Sequence, residues 1–253
     1  MKNSLRSIFV LFTIALFCGF VSPKANKSLN ESKKERIDMS RGFENHIGDI
    51  YNSAGLEKAG LSREVFEKAV TGYYNIKSVK VPVLSVIDFT KKSTDKRLWV
   101  INMVNGKLLF NTLVAHGKNT GEQYAEHFSN MPSSNMSSLG FYLTGETYIG
   151  KHGKSLALDG LEQGFNDRAR ERAVVMHSAD YVSQDYIDKT GRLGRSWGCP
   201  ALPPQYAEKI INTTANGSCL FIYYPDKKYE QAAKFLDYKA AEVAFEMNGS
   251  ASN

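Results

Sequence analysis

A mainly β domain is the fold class this sequence predicts, a curved sandwich or partly closed barrel with an N-terminal helical segment and peripheral helices. Three observations lead there. Six short apolar or alternating runs fall between residues 81 and 224. Two of them flank an Asn-Gly pair, the strongest short-range signal for a hairpin. Helical periodicity is confined to the flanks and to segments between strands, which leaves the helices outside the sheet.

The chain opens on MKNSLRS, a short basic head, followed by IFVLFTIALFCGFVS (residues 8–22). That run is as long as a secretory apolar core and shorter than a membrane span. Residues 1–25 are therefore expected to be a signal peptide cut after Ala25, or an N-terminal anchor. The rest is expected to be exported to the periplasm or cell envelope, touching the membrane only through that N-terminus. Phe17 stands where a lipoprotein signal needs a small residue, which ranks a lipidated Cys18 low. Residues 26–80 read as a polar, lysine-rich leader and a helical segment. Within it LSREVFEKAVTGYY sets Val65, Phe66, Ala69, Val70 and Tyr73 along one helix face.

The β domain is expected over residues 81–226, opening on VPVLSVIDF. In RLWVINMV-NG-KLLFNTLV the Asn105-Gly106 pair fits a two-residue type I′ turn. GFYLTGETY, AVVMH and SCLFIYY supply the remaining strands, the last preceded by a helix and turn in PPQYAEKIINTTANG. Residues 227–253 suggest one terminal helix with a frayed, polar end.

The formal charge is +6, and Lys2, Arg6 and Lys24 lie in the first 25 residues, which hold no acid, so the trimmed chain carries +3. Such a mild excess, without an arginine-rich stripe or aromatic-basic repeat, points away from nucleic acid. Trimming also leaves two cysteines. In an oxidising compartment a Cys199–Cys219 disulfide is the first alternative. Local context separates them, however: Cys219 lies in an apolar strand as an inert, packed thiol. Cys199 lies in a loop, RSWGCPALP, where Gly198 permits close backbone approach or positive φ and Pro200 stiffens the exit.

A loop thiol matters chemically when a base ionises it. Of five histidines, His46 and His127 read as solvated and His116 as a strand-edge residue. His152 sits in a glycine-flanked loop. His177 ends the short strand before a loop, a place where scaffolds present catalytic groups. The eighteen residues between, SADYVSQDYIDKTGRLGR, carry Ser183 as a helix N-cap and Gly191 and Gly194 as stop and turn. They read as an excursion that returns Cys199 towards His177. No HExxH or CxxC spacing suggests a metal.

His177 followed by SWGCPAL resembles the signature of the murein L,D-transpeptidase catalytic-domain family, in which Ser or Thr, a variable residue, Gly and Cys close the motif. The resemblance covers most of residues 81–225, through RLWVINMVNGKLLFNTLVAHG, SLGFYLTGETY, KSLALDGLEQGFNDRARERAVVMHSADYV and LGRSWGCPALP. It implies a Cys nucleophile and no cofactor. It implies as substrate a peptidoglycan tetrapeptide stem, cleaved between an L-centred diamino acid and terminal D-alanine. The acyl group then passes to an amine, forming a cross-link, or to water. Cys199, His177, Gly198 and Ser196 are the expected catalytic set. Main-chain N–H groups of Gly198 and Cys199 are expected to hold the oxyanion, with Ser196 bracing the loop or orienting the imidazole. Arg195, Trp197, Ser178, Tyr142 and His152 are the expected substrate-binding residues. Two departures bear on them: Trp197 replaces a histidine common in the family, and Pro200, Ala201 and Leu202 stand where an arginine often follows the cysteine. Arg195 is the expected replacement for that arginine. The alternatives are a wall-binding protein with a Cys199–Cys219 disulfide and a different wall-acting cysteine peptidase or amidase.

Overall fold

In a computed structural model, residues 41–250 and the isolated Lys34 and Met39 are described. The chain divides into two units, Met1–Asp38 and Met39–Asn253, and the β-sheet belongs to the second. The expected signal segment, Cys18 and the polar leader lie outside the described residues. None of the described helices is long and apolar enough to cross a membrane.

Eight strands form one mixed sheet: β1 (Val83–Asp88), β2 (Leu98–Asn102), β3 (Lys107–Thr112), β4 (Gly140–Gly150), β5 (Gly153–Gly160), β6 (Val175–Ser178), β7 (Ala201–Leu202) and β8 (Cys219–Tyr223). Their order is β3-β2-β1-β8-β4-β5-β6-β7. The curl of the sheet brings one margin back towards the other. Past the end of β3, Ala115 donates its N–H to Ala201 O on β7 at 2.9 Å, so the sheet curls until its edges meet. The six expected strands all form; β5 and the two-residue β7 are additional. β1 lies inside the sheet with every residue buried, and its neighbour β8 is buried throughout as well. Such strands read as continuous apolar runs rather than alternations.

The β2–β3 hairpin departs from the expected two-residue turn. Asn102 opposes Lys107, leaving a four-residue loop in which Gly106 is left-handed (φ +61°) and Asn105 is not. The Asn102 side chain decides this by accepting the N–H groups of Val104 and Asn105 at 2.9 and 3.2 Å. Gly106 also packs tightly, since a Cβ there would run into Ser53 Oγ.

The N-terminal helical segment is two helices, α1 (41–53) and α2 (Arg63–Asn75). Gly55 and Gly60, both at positive φ, break the run between them. α2 starts at Ser62, whose hydroxyl accepts the Val65 N–H, and buries Val65, Phe66, Ala69 and Val70 on the core. α3 (Gln184–Thr190) starts on Ser183 and stops at left-handed Gly191, as the sequence signals require. α4 (Pro204–Thr214) precedes β8 and buries Ala207, Ile210 and Ile211.

The terminal segment forms α5 (Lys227–Ala232), a 3-10 turn (Lys234–Leu236) and α6 (Tyr238–Ser250) rather than the single helix expected. Asp226 caps the first piece, accepting the Tyr229 N–H, and Asp237 Oδ1 accepts the Ala240 N–H at 3.1 Å near the start of the last. Asn75 donates to the carbonyls of Phe235 and Asp237 at the break, so the interrupted ladder is satisfied from α2.

Candidate active site

Residues of the β4–β5 turn, of β6 and the stretch before it, and of the loop before β7 meet in one cleft of about 420 Å³, lined among others by His152, Arg172, His177, Ser196, Trp197 and Cys199. The topology explains the meeting. β6 and β7 are parallel neighbours with His177 opposite Ala201, two residues past Cys199. The chain between them, including α3, is the expected excursion.

The Cys199 loop is held from behind. Ser196 donates its N–H to His116 O at 3.0 Å and accepts the Lys118 N–H on its own carbonyl at 2.8 Å. Its hydroxyl donates to Cys199 O at 2.6 Å and accepts the Gly198 N–H at 3.0 Å. Ser196 therefore braces the loop; the imidazole is fixed by another group. Gly198 is left-handed (φ +125°), and a Cβ there would lie 2.8 Å from Met136 O. The position requires glycine. Because the Gly198 N–H is consumed by Ser196 Oγ, it is not a free oxyanion donor. Among the described residues no hydrogen bond consumes the N–H of Cys199 or of Trp197, so the loop keeps unspent main-chain donors beside the thiol.

His116 is a buried strut, not the simple edge residue expected. It is 1% exposed, its Nε2–H donates to Gly121 O at 3.1 Å, and Nδ1 accepts from Arg97 at 2.8 Å. Burial and the Arg97 charge pull it down to about 3, so the ring stays neutral. Arg97, itself fully buried, also donates to Val114 O and Lys91 O. His46 likewise differs from a solvated side chain: its Nε2 lies 2.7 Å from Tyr74 Oη and its ring packs on Phe245.

His177 is nearly buried, with Nδ1 2.9 Å from Ser178 O. A carbonyl can only accept, so Nδ1 carries the proton and Nε2 keeps its lone pair. Ser178 contributes to the site through this carbonyl. The His152 ring stacks on His177 with centroids 4.6 Å apart. Burial lowers His177 below the ordinary imidazole value, opposed by the Ser178 hydrogen bond and aided by His152.

The Cys199 thiol donates to Ala173 O at 3.7 Å and accepts the Val175 N–H at 3.4 Å. Ala173 is itself left-handed (φ +52°), an uncommon conformation for a residue with a Cβ and one that concentrates at functional sites. Burial raises the thiol above its usual value; the Val175 N–H and the Arg172 charge pull the other way. Near neutral pH the cleft therefore holds a neutral thiol and a neutral imidazole.

Cys199 and Cys219, the two cysteines among the described residues, are free, which removes the disulfide alternative. Cys219 is fully buried on β8, and β4, β5 and β6 stand between that strand and β7, on the order of 19 Å along the sheet and far beyond disulfide reach. Trp197 lines the cleft and is 76% exposed. Arg195 lines it too, but its charge is paired with Glu122 at 2.6 Å. Tyr142, expected at the substrate, is instead wholly buried on β4, donating to Ser138 O at 3.0 Å; its aromatic bulk serves the core. Sequence reading missed Arg172, Tyr148, Lys151 and Tyr181 as cleft residues. Only the run of arginines 168, 170 and 172 before the His177 strand hinted at the first. Among the described residues no three His, Cys, Asp or Glu side chains gather as a metal site.

Comparison with known proteins adds the family. The chain has 15% identity with an L,D-transpeptidase from Mycobacterium smegmatis over 56% of this chain and 59% of that one, with a TM-score of 0.35. It has 15% identity with the helical cell shape determining protein Pgp2 from Campylobacter jejuni over 71% and 62%, with a TM-score of 0.38. An L,D-transpeptidase from Stackebrandtia nassauensis matches at 17% over 64% and 67%, with a TM-score of 0.32. The chain thus spans 59% of the Mycobacterium protein's length. No curated protein sequence matches it. At these scores the assignment rests on the family model for the L,D-transpeptidase catalytic domain, which matches residues 57–223 and so takes in the whole cleft. The chain belongs to the L,D-transpeptidase catalytic domain family.

Proposed function

We propose that this protein is a cysteine-dependent murein L,D-transpeptidase acting on peptidoglycan tetrapeptide stems in the cell envelope, with Cys199 as nucleophile and His177 as base. The observation that carries the reading is the shared cleft. It holds a loop thiol and an imidazole whose Nδ1–H is bound to Ser178 O, leaving Nε2 to accept a proton.

His177 Nε2 takes the thiol proton as the sulfur attacks the carbonyl of the L-centred diamino acid. The oxyanion forms against the Cys199 N–H. Loss of one such donor elsewhere costs about 2.7–4 kcal/mol, so a single well-placed N–H matters. The C–N bond then breaks, the imidazolium proton passes to the departing D-alanine amine, and a thioester remains. An incoming amine gives up its proton to His177, attacks the thioester and expels the sulfur, which regains the proton. Water in place of the amine makes the reaction an L,D-carboxypeptidase. Trp197 and His152 form walls of the groove, and Ser196 holds its floor.

A carbapenem-type acylating trap tests the assignment. Wild type and Cys219→Ser are expected to gain the trap's mass, and Cys199→Ser to gain none while melting like wild type. Labelling of Cys199→Ser overturns the nucleophile. A wall-acting peptidase of another kind is separated by its product, since it cuts the stem elsewhere than before the terminal D-alanine.

A further inference from the structure

Two arginines line the cleft, and their charges are balanced differently. Arg195 pairs with Glu122. Close in sequence, Arg168 and Arg170 also pair with acids. Arg172 forms no ion pair among the described residues. Its Nη1 donates to Ser129 O and Ser138 Oγ, and its Nη2 donates to Ser134 Oγ and Met136 O. Four of the five guanidinium N–H groups are spent on neutral oxygens. That rules out a bidentate clamp on a substrate carboxylate, which needs two free parallel donors. What remains is a positive charge held rigidly and half-buried, where salt screens it weakly. It lies against the Cys199 turn: a Cβ on Gly198 would stand 3.3 Å from Arg172 Nη2 and 2.8 Å from Met136 O, the carbonyl that accepts Nη2 at 2.6 Å.

We propose that Arg172 is the positioning residue of the thiol site, bracing residues 129–138 against the Gly198–Cys199 turn and supplying the fixed positive charge beside which negative charge develops on the Cys199 sulfur. This rests on Cys199 being the nucleophile. The other titratable groups facing the thiol across the cleft are His177, His152, Lys151, Tyr148, Tyr181 and Arg195. His177 is lowered and Tyr181 raised by burial, so both stay neutral near neutrality. The Arg195 charge is paired. Lys151 and His152 sit exposed on the β4–β5 turn, where solvent screens them. The charge with the firmest hold on the thiol is thus Arg172, which opposes the effect of burial there.

Alkylation of Cys199 in the full chain tests this, with neutral iodoacetamide and anionic iodoacetate followed by intact mass and peptide mapping from neutral to alkaline pH. Arg172→Gln is expected to move the profile up by about one pH unit, about tenfold in rate at neutrality. Iodoacetate is expected to lose more than iodoacetamide. Arg172→Lys, which keeps the charge, is expected to restore most of the profile. A folded Arg172→Gln with unchanged profile and reagent ratio overturns the proposal, as does a Lys variant that behaves like Gln. Should Arg172→Gln fail to fold, wild type decides: an iodoacetate-to-iodoacetamide ratio above that of free cysteine supports the charge, and one at or below it refutes it. These rates need no acyl donor, so they stay readable even where the carbapenem trap fails to acylate Cys199.

Discussion

Gly198 is where a single atom decides most. Its φ of +125° and the 2.8 Å separation between a would-be Cβ and Met136 O leave no room for a side chain. Gly198→Ala is expected to cost about 1–3 kcal/mol from backbone strain alone. It should also cost more than tenfold in the rate of acylation, because the Cys199 N–H swings with the turn. Denaturant titration and trap kinetics on the same preparation check both. The pH profile belongs to this scale too. With His177 as the proposed base, acylation needs that ring neutral; burial holds it below the ordinary imidazole value of 6.5, so the acid limb is expected below pH 6.5. With the thiol raised rather than lowered, activity should hold into alkaline solution. An acid limb above pH 6.5 contradicts the neutral pair. That His177, Ser196 and Cys199 share one cleft was legible in the sequence, because the histidine ends a short strand and the other two sit in a glycine-containing loop after an excursion that returns to it; that the Gly198 N–H is spent on Ser196 Oγ was not. His116, Arg172 and Tyr142 were not legible either, since only tertiary contacts reveal that one is a strut, one a cleft charge and one a core residue.

At the scale of elements, Glu162 ties β4 to α5. Its Oε2 accepts the Phe141 N–H at 2.7 Å and the Tyr229 hydroxyl at 2.9 Å, while Oε1 is buried without a partner. Burial raises the carboxyl to about 7 from 4.5. The folded state therefore binds a proton more tightly than the unfolded chain. This group's contribution is fully present below about pH 4.5 and is lost as pH rises through about 7. Glu162→Gln removes that loss. The melting temperature of the variant minus that of wild type is expected to increase from mildly acidic to neutral pH; a constant or falling difference contradicts the assignment. Strands with strong apolar runs were legible at this scale, as were the Ser183 and Gly191 signals. The four-residue loop of the β2–β3 hairpin was not, because the Asn102 side chain, not the Asn-Gly pair, sets the turn. The broken terminal helix was hidden for a similar reason, since Asn75 on α2 satisfies the carbonyls at the break.

Across the whole molecule, closing the sheet and building the cleft are one act. The Ala115–Ala201 contact joins the edges of the sheet, and the residues that follow, His116 to Lys118, grip Ser196 behind the thiol loop. Arg97 anchors the start of that segment through Val114 O and His116. β7, only two residues long, carries no strand signal of its own; it exists because the parallel register with His177 places it there. A curved, mainly β domain could be read from composition and periodicity, whereas its closure depends on pairings distant in sequence. The most direct measurement of the central claim is intact-protein mass spectrometry after mixing with purified tetrapeptide stems. The expected result is a covalent adduct on Cys199 equal to the stem less its terminal D-alanine, with free D-alanine released in step. D-alanine released without an adduct on any trapping timescale, or an adduct that persists in Cys199→Ser, contradicts it.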